Sequence, residues 1–476
     1  MSQSPVELPR QSSLAQAVLC FLGVIGTIAV GLFVLGIGLH SLMFLCLIWV
    51  GLHARYLGYD YLQIRSLMAD AITRALPAIY IFILIGMVIA SFMHSGTIAT
   101  LMYFGLDWLS PPLFLCVGML LCAIMSLATG TSWGTVGTLG VVFIGIGGAM
   151  GIPLPLVAGM IVCGATFGDK MSPISDTTNL AAMSADTNLY RHIYAMLFTT
   201  VPSFVLAFVL FLVLGSRYGD SAFATASIAT IQTALESSYR LSPLITLTPL
   251  IVLATLSIRK VPAEITMSIS VLVAVAIAIA YQGTGSVEVL NALWENTRGS
   301  TGIDNLDDLL GRGGIASMSW TLILALMALA LGGILHGAGF LTTLLSGIIQ
   351  RIRHVAALVA TTICSGLIGN MAMGEAYISI ILNCQLFRAK YEASGLDKSI
   401  LSRSVEEGST LTTGLIPWTT AGAFYAATLG VPVLDYLPYA FFNYLNAFVA
   451  VGFAALGIGL LRRIDSDTIM AATEAP

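Results

Sequence analysis

Apolar runs near the length of about 20 residues that crosses a hydrocarbon core recur along the whole chain. They cover 14–37, 39–56, 76–94 with a shorter piece at 96–109, 189–216, 241–258, 262–282, 319–350 with a break near Gly337, and 434–461. Each predicts a membrane helix. Two stretches depart from the pattern. Residues 112–168 carry no charged side chain, yet glycine, proline and small polar residues interrupt them repeatedly, and 354–430 alternates apolar runs with polar, glycine-rich breaks. Irregular backbone survives at membrane depth only where protein or a water-filled cavity covers it. These stretches therefore predict re-entrant hairpins at about 112–150 and 354–390, and broken helices at about 153–186 and 401–430. Between the spans, 57–75 sets Asp60, Arg65, Asp70 and Arg74 among apolar residues, which suits a helix lying in the interface. Residues 219–240 form a polar connector, and 283–318 hold five acids against Arg298 and Arg312.

The two halves resemble each other. G-A-T-F at 164–167 matches G-S-T-L at 408–411, and Pro173 matches Pro417, both at an offset of 244. S-G-T-I-A-T-L at 95–101 matches A-G-F-L-T-T-L at 338–344, at an offset of 243. The expected units are 14–218 and 241–461, with tails at 1–13 and 462–476. Basic residues favour the cytoplasmic side. Arg55, Arg65, Arg74, Arg259, Lys260, Arg462 and Arg463 all lie inside if both termini are cytoplasmic and the connector and 283–318 are external. That places the second half upside down relative to the first. The fold class expected is an all-α polytopic membrane protein, an inverted-repeat secondary transporter with two re-entrant hairpins and broken helices.

Composition agrees and excludes several functions. Hydrophobic residues make up 57% and charged residues 9% of the 476, against about 25% charged in soluble domains. A net charge of −4 without a basic run argues against nucleic acid. The seven cysteines form no C-x-x-C pair, no two histidines stand at metal-ligand spacing, and no phosphate-binding G-x-x-x-x-G-K occurs. No cofactor is expected. A membrane-embedded enzyme would need a positioned nucleophile and base, and no serine or cysteine has an evident histidine partner. The first 13 residues carry one Arg10 against one Glu7 with no clear cleavage site, so the first run reads as a retained helix.

Candidate chemistry concentrates in three segments. G-D-K-M-S-P-I-S-D-T-T-N, 168–179, delivers Asp169, Lys170 and Asp176 with Ser172, Ser175, Thr177, Thr178 and Asn179 around Pro173. Proline frees backbone carbonyls, and carboxylate, hydroxyl, amide and carbonyl oxygens suit a hard cation. The bland alternative is a polar loop outside the bilayer with Asp169 paired to Lys170. T-G-T-S-W-G-T-V-G-T, 129–138, offers Thr129, Thr131 and Ser132 among glycines; close helix packing through small residues is the competing reading. In G-N-M-A-M-G-E-A-Y, 369–377, Asn370 holds the tip position and Glu375 is the sole charge between His354 and Arg388. An acid in such a run is a functional candidate, or else a helix cap. Glu406 and Glu407 are weaker candidates, since nearby Arg403 suggests a solvated helix start. His94 and His336 occupy similar places in the halves, as hydrogen-bonding groups or as pH sensors. For a sodium ion the expected ligands are Asp176, Ser175, Asn179 and Ser132. Asp176 is the first choice for the group that exchanges proton for cation, and Asp169 the second.

G-T-S-W-G-T, G-D-K-M-S-P-I-S-D-T-T-N-L-A and the late L-I-P-W-T-T-A-G-A-F-Y-A-A-T-L-G-V resemble the NhaC family of bacterial sodium/proton antiporters, and the likeness runs from about 60 to 445. It implies an inner-membrane antiporter exchanging Na+ and H+, typically a homodimer with a scaffold and a moving, elevator-like transport domain. The implied ion-binding region is Thr129 to Ser132 with Asp169 to Asn179, and its counterpart Asn370 to Glu375 with Trp418, Thr419 and Thr420. Two positions depart from the family pattern: Thr419 stands where asparagine is frequent, and Glu375 where aspartate is. The resemblance also leaves open an exchanger of a small organic acid or amino acid. For such a substrate Lys170 would be the cationic partner, with Trp133 and Trp418 as possible lining.

Overall fold

The computed structural model describes residues 10–462 except 109, 219–221 and 350–351. Glu7, Arg463 and most of both tails lie outside the described residues. Among these, every extended element is helical, and nine helices are long and apolar enough to cross a membrane, or up to eleven spans if two bent pairs each count as one. Phe33, Val34, Val213 and Phe448 stand exposed on them, as lipid-facing side chains do. The chain is a multi-pass membrane protein.

The apolar pattern located most helices. One expected span differs: 241–258 divides into Pro243–Thr246 and Thr248–Ile258, the second too short to cross alone. Pro249 at the second position of the later helix forces the restart, and Thr97 Oγ1 donates to the carbonyl of Thr246 at 2.6 Å. The connector is also more ordered than its polarity suggested. Ala222–Ser238 is a helix, tied to Thr97–Trp108 through Tyr103–Glu236 and Gln232–Asp107 hydrogen bonds of 2.7 Å each. The interfacial segment contains the helix Tyr61–Arg74, which starts on an Asp60–Gln63 capping box.

Helix ends recur along the chain at the spacing of the sequence matches. Pro111–Thr129, Leu154–Met171 and Asp176–Ser184 begin 244 residues before Val355–Met373, Lys398–Thr413 and Thr420–Leu429. Gly130 and Gly374 each end the earlier helix in a left-handed conformation, at φ 69° and 68°. The matched motifs have a packing cause. A Cβ on Gly164 would lie 2.4 Å from the Met119 carbonyl oxygen, and one on Gly408 2.4 Å from that of Ile363. Only glycine allows these backbones so close.

The two hairpins thus comprise Pro111–Thr129 with 132–149, and Val355–Met373 with Ala376–Ala393. Each tip rests on the break of a long helix. Gly130 packs on Ile174, in the first break, and the Thr420 N–H that starts the helix after the second break donates to the Gly374 carbonyl at 2.8 Å.

Candidate cation site

Three short sequence devices build the site. Gly130 turns the chain, and Thr131 caps the next helix by accepting from Gly134 N, which places Ser132 at a helix N-terminus. Pro173 interrupts the long helix after Met171. Ser175 then caps Asp176–Ser184. Asp169, one turn before the break, lies between both N-termini. Its Oδ2 accepts from Ser132 Oγ at 2.6 Å and Ser132 N at 3.2 Å, and its Oδ1 from Ser175 Oγ at 2.7 Å. Thr177 Oγ1 lies 3.1 Å from Ser175 Oγ. The residue is 6% exposed. Among the described residues no Lys, Arg or His lies within 4 Å of this carboxylate. Two helix N-termini and three donors face this carboxylate where a counter-ion would otherwise stand.

Lys170 does not neutralise Asp169. Its ammonium turns the other way, to Asn446 Oδ1 at 3.2 Å and Glu407 Oε1 at 3.8 Å. Asp176 stands apart too: it is exposed, accepts from Tyr377 OH and from Thr177 N, and shares no ligand with Asp169 beyond charge proximity. The four residues expected around sodium are therefore not one set. Ser132 and Ser175 converge on Asp169, while Asn179 Nδ2 donates to the Pro173 and Ser175 carbonyls, bracing the break. Ser172 donates to Leu127 O and Thr129 to Met125 O, so both hydroxyls brace backbone. Thr178 turns to Lys170 O and Glu406 Oε1, at 3.0 Å each.

The second hairpin completes the surroundings. Glu375, 6% exposed, caps Ala376–Ala393 by accepting from Ile378 N at 3.2 Å, and lies within electrostatic reach of Asp176. Asn370 donates to Ser409 O at 2.6 Å and to Thr412 Oγ1 at 3.0 Å, leaving its own oxygen buried without a partner. Thr419 caps Thr420–Leu429, and Thr420 is buried beside it. The tryptophans pack: Trp133 stacks on Phe424 at 4.7 Å, and Trp418 Nε1 donates to Met371 O at 2.8 Å.

The model of the Na+/H+ antiporter family matches residues 10–178 and 164–458, which together span nearly the whole chain. The chain belongs to this family. Among relatives of the antiporter, Na(+)/H(+) antiporter NhaC of Alkalihalophilus pseudofirmus is 40% identical over 93% of this chain and 96% of its own length. NhaC of Bacillus subtilis is 36% identical over 88% and 93%. The Malate-2H(+)/Na(+)-lactate antiporter of Bacillus subtilis is 33% identical over 84% of both chains. The antiporter is a secondary transporter, a carrier of solutes rather than an enzyme.

Sequence reasoning missed a buried charged cluster. Glu406 and Glu407 do not begin a solvated helix: Ser399 to Thr413 are buried throughout, and Arg403, Glu406, Glu407, Lys170 and His192 are each 0% exposed. The spacing of Arg403 and Glu407, four apart on one helix face, was the available signal that they face each other. Tyr377, which fastens the second hairpin to Asp176, lay inside a segment already singled out but carried no charge to mark it. His94 bonds Asn296 at 3.0 Å.

Proposed function

We propose that this antiporter exchanges sodium for protons and that both compete for the Asp169 carboxylate. Ser132 and Ser175, now donors to it, would rotate to present oxygen lone pairs to the cation beside the carboxylate. A hydroxyl donates or coordinates with the same oxygen, so the site reorganises without backbone movement. The carrying observation is a buried carboxylate that joins a hairpin tip to a helix break while its neighbouring lysine is bound elsewhere. When sodium is absent a proton neutralises Asp169. When sodium binds, that proton leaves, and alkaline pH favours sodium by mass action.

Exchange then requires the loaded site to face each side in turn. The movement is that of an elevator: the two hairpins and two broken helices move together against the remaining helices, within a homodimer. The inverted halves, both termini cytoplasmic, supply the two related conformations. The basic flank at Arg55, Arg65 and Arg74 and the acidic 283–318 support that orientation. A carboxylate exchanger is the less supported reading, because Lys170 is occupied by Glu407 and Asn446.

Proteoliposomes containing a pH dye test the proposal. Sodium added outside should alkalinise the lumen in proportion to the sodium gradient, since protons leave as sodium enters, whereas malate, lactate and amino acids should not. A pH change seen with an organic solute alone would overturn it.

A further inference from the structure

Exchange at Asp169 leaves the buried cluster behind it unused. Glu406 meets His192 Nε2 at 2.6 Å through one oxygen and accepts from Thr178 Oγ1 at 3.0 Å through the other. Ser402 Oγ lies 2.7 Å from His192 Nδ1, so both imidazole nitrogens are engaged. Glu407 stands 3.8 Å from both Lys170 Nζ and Arg403 Nε, and takes Thr199 Oγ1 at 2.5 Å. Arg403 Nε and one terminal nitrogen, and one Glu407 oxygen, are buried without a hydrogen-bond partner. A cluster built only as a structural lock would satisfy those atoms.

Charge counting isolates one variable member. Lys170 and Arg403 balance Glu406 and Glu407. A proton on the His192–Glu406 pair is therefore one positive charge in excess. Among the described residues, Cys384 of Ala376–Ala393 also faces Glu406, with Arg388 of that helix beside the cysteine, and Tyr391 on the same helix faces Arg403 and Glu407. The pair itself is 0% exposed, and the partly exposed Arg191 next to His192 in sequence pairs with Asp397.

Thr178 joins this pair to the cation site. Its hydroxyl has three acceptors in reach: Glu406 Oε1, Lys170 O at 3.0 Å and Asp169 O at 3.3 Å. One hydroxyl proton serves one of them at a time. The Thr178 N–H lies 3.5 Å from Ser175 Oγ, which itself donates to Asp169. A change at Asp169 thus reaches Glu406 through one residue.

We propose that the His192–Glu406 pair holds a proton that is released to water when a cation binds at Asp169, making the pair a second coupling site. This rests on Asp169 being the cation site. Exchanging the Asp169 proton for sodium leaves the charge there unchanged, so the coupling runs through Thr178: when its hydroxyl settles on Glu406 Oε1 and leaves the Asp169 and Lys170 carbonyls, the pair holds its proton less tightly.

The test is the pH dependence of sodium affinity, read by calorimetry on purified protein. By linkage, each proton released lowers the apparent Kd about tenfold per pH unit. Glu406→Gln and His192→Gln should still bind sodium, with a dependence up to about tenfold weaker per pH unit than wild type. Folded variants with the wild-type dependence would overturn the proposal. If either fails to fold, Ser402→Ala decides: a shifted midpoint supports the pair, and an unchanged profile overturns it. Asp169→Asn separates the two readings. Sodium binding that survives it removes the underlying site assignment, whereas binding lost there with an unaltered Glu406→Gln profile removes this proposal alone.

Discussion

Asp169→Asn isolates the charge on which the account depends. The substitution keeps the side-chain volume and one carbonyl acceptor for Ser132 or Ser175, so it removes charge rather than packing. At an effective dielectric of about 20, a carboxylate and a cation about 4 Å apart attract by about 4 kcal/mol. Losing that attraction weakens sodium binding by about a thousandfold. Asp176→Asn should do far less, because Asp176 is exposed and its oxygens already accept from Tyr377 OH and Thr177 N. Sodium titration calorimetry on the detergent-purified variants reads both, with thermal melting to show that each is folded. A folded Asp169→Asn that binds sodium within about tenfold of wild type, beside an Asp176→Asn that binds none, would refute the assignment.

Gly130→Ala should abolish transport, since its Cβ would lie 2.6 Å from Ile174 Cγ1 and 2.9 Å from the Ile174 carbonyl carbon. Gly151→Ala is the control: it has the same left-handed φ and open space around it, so it should cost only about 1–2 kcal/mol and leave transport intact. Asp397→Ala removes both a helix cap and the partner of Arg191, for about 1–2 kcal/mol at neutral pH. Burial pushes the Asp397 carboxyl up, but Arg191 and Ser399 outweigh it and hold it below the usual value. A depressed folded value means that this stability exists above the unfolded value of about 3.9 and is lost as pH falls through the folded one. Melting curves of wild type and variant should therefore converge in acid. Cysteines placed at Ser300 and Ser66 on a cysteine-free background should react with an impermeant reagent from outside and inside respectively; equal reaction from outside would remove the inverted orientation.

Much of this was legible in the sequence because glycine and proline mark backbone events. The close approaches at Gly164 and Gly408, and the prolines at 173 and 417, carry the offset that reappears in the helix ends. The uncharged run 112–168 marked the first hairpin for the same reason, since only covered backbone tolerates so many breaks. Side-chain direction was not legible. Asp169 and Lys170 are neighbours in sequence but point to different partners, because successive helix residues diverge by about 100°. Sequence proximity suggested that the lysine neutralised Asp169, and thereby favoured Asp176. Glu406 and Glu407 were misjudged for a related reason. A polar helix with several charges normally faces water, and this one is buried because partners from the other half, His192, Thr199 and Lys170, meet it.

The most direct test of competition at Asp169 is proton release on sodium binding, followed with a pH indicator in weakly buffered solution. Wild type should acidify the solution when sodium is added, and Asp169→Asn should give no sodium-dependent signal at any sodium concentration that saturates wild type. Proton release of wild-type size from a folded Asp169→Asn would contradict the account.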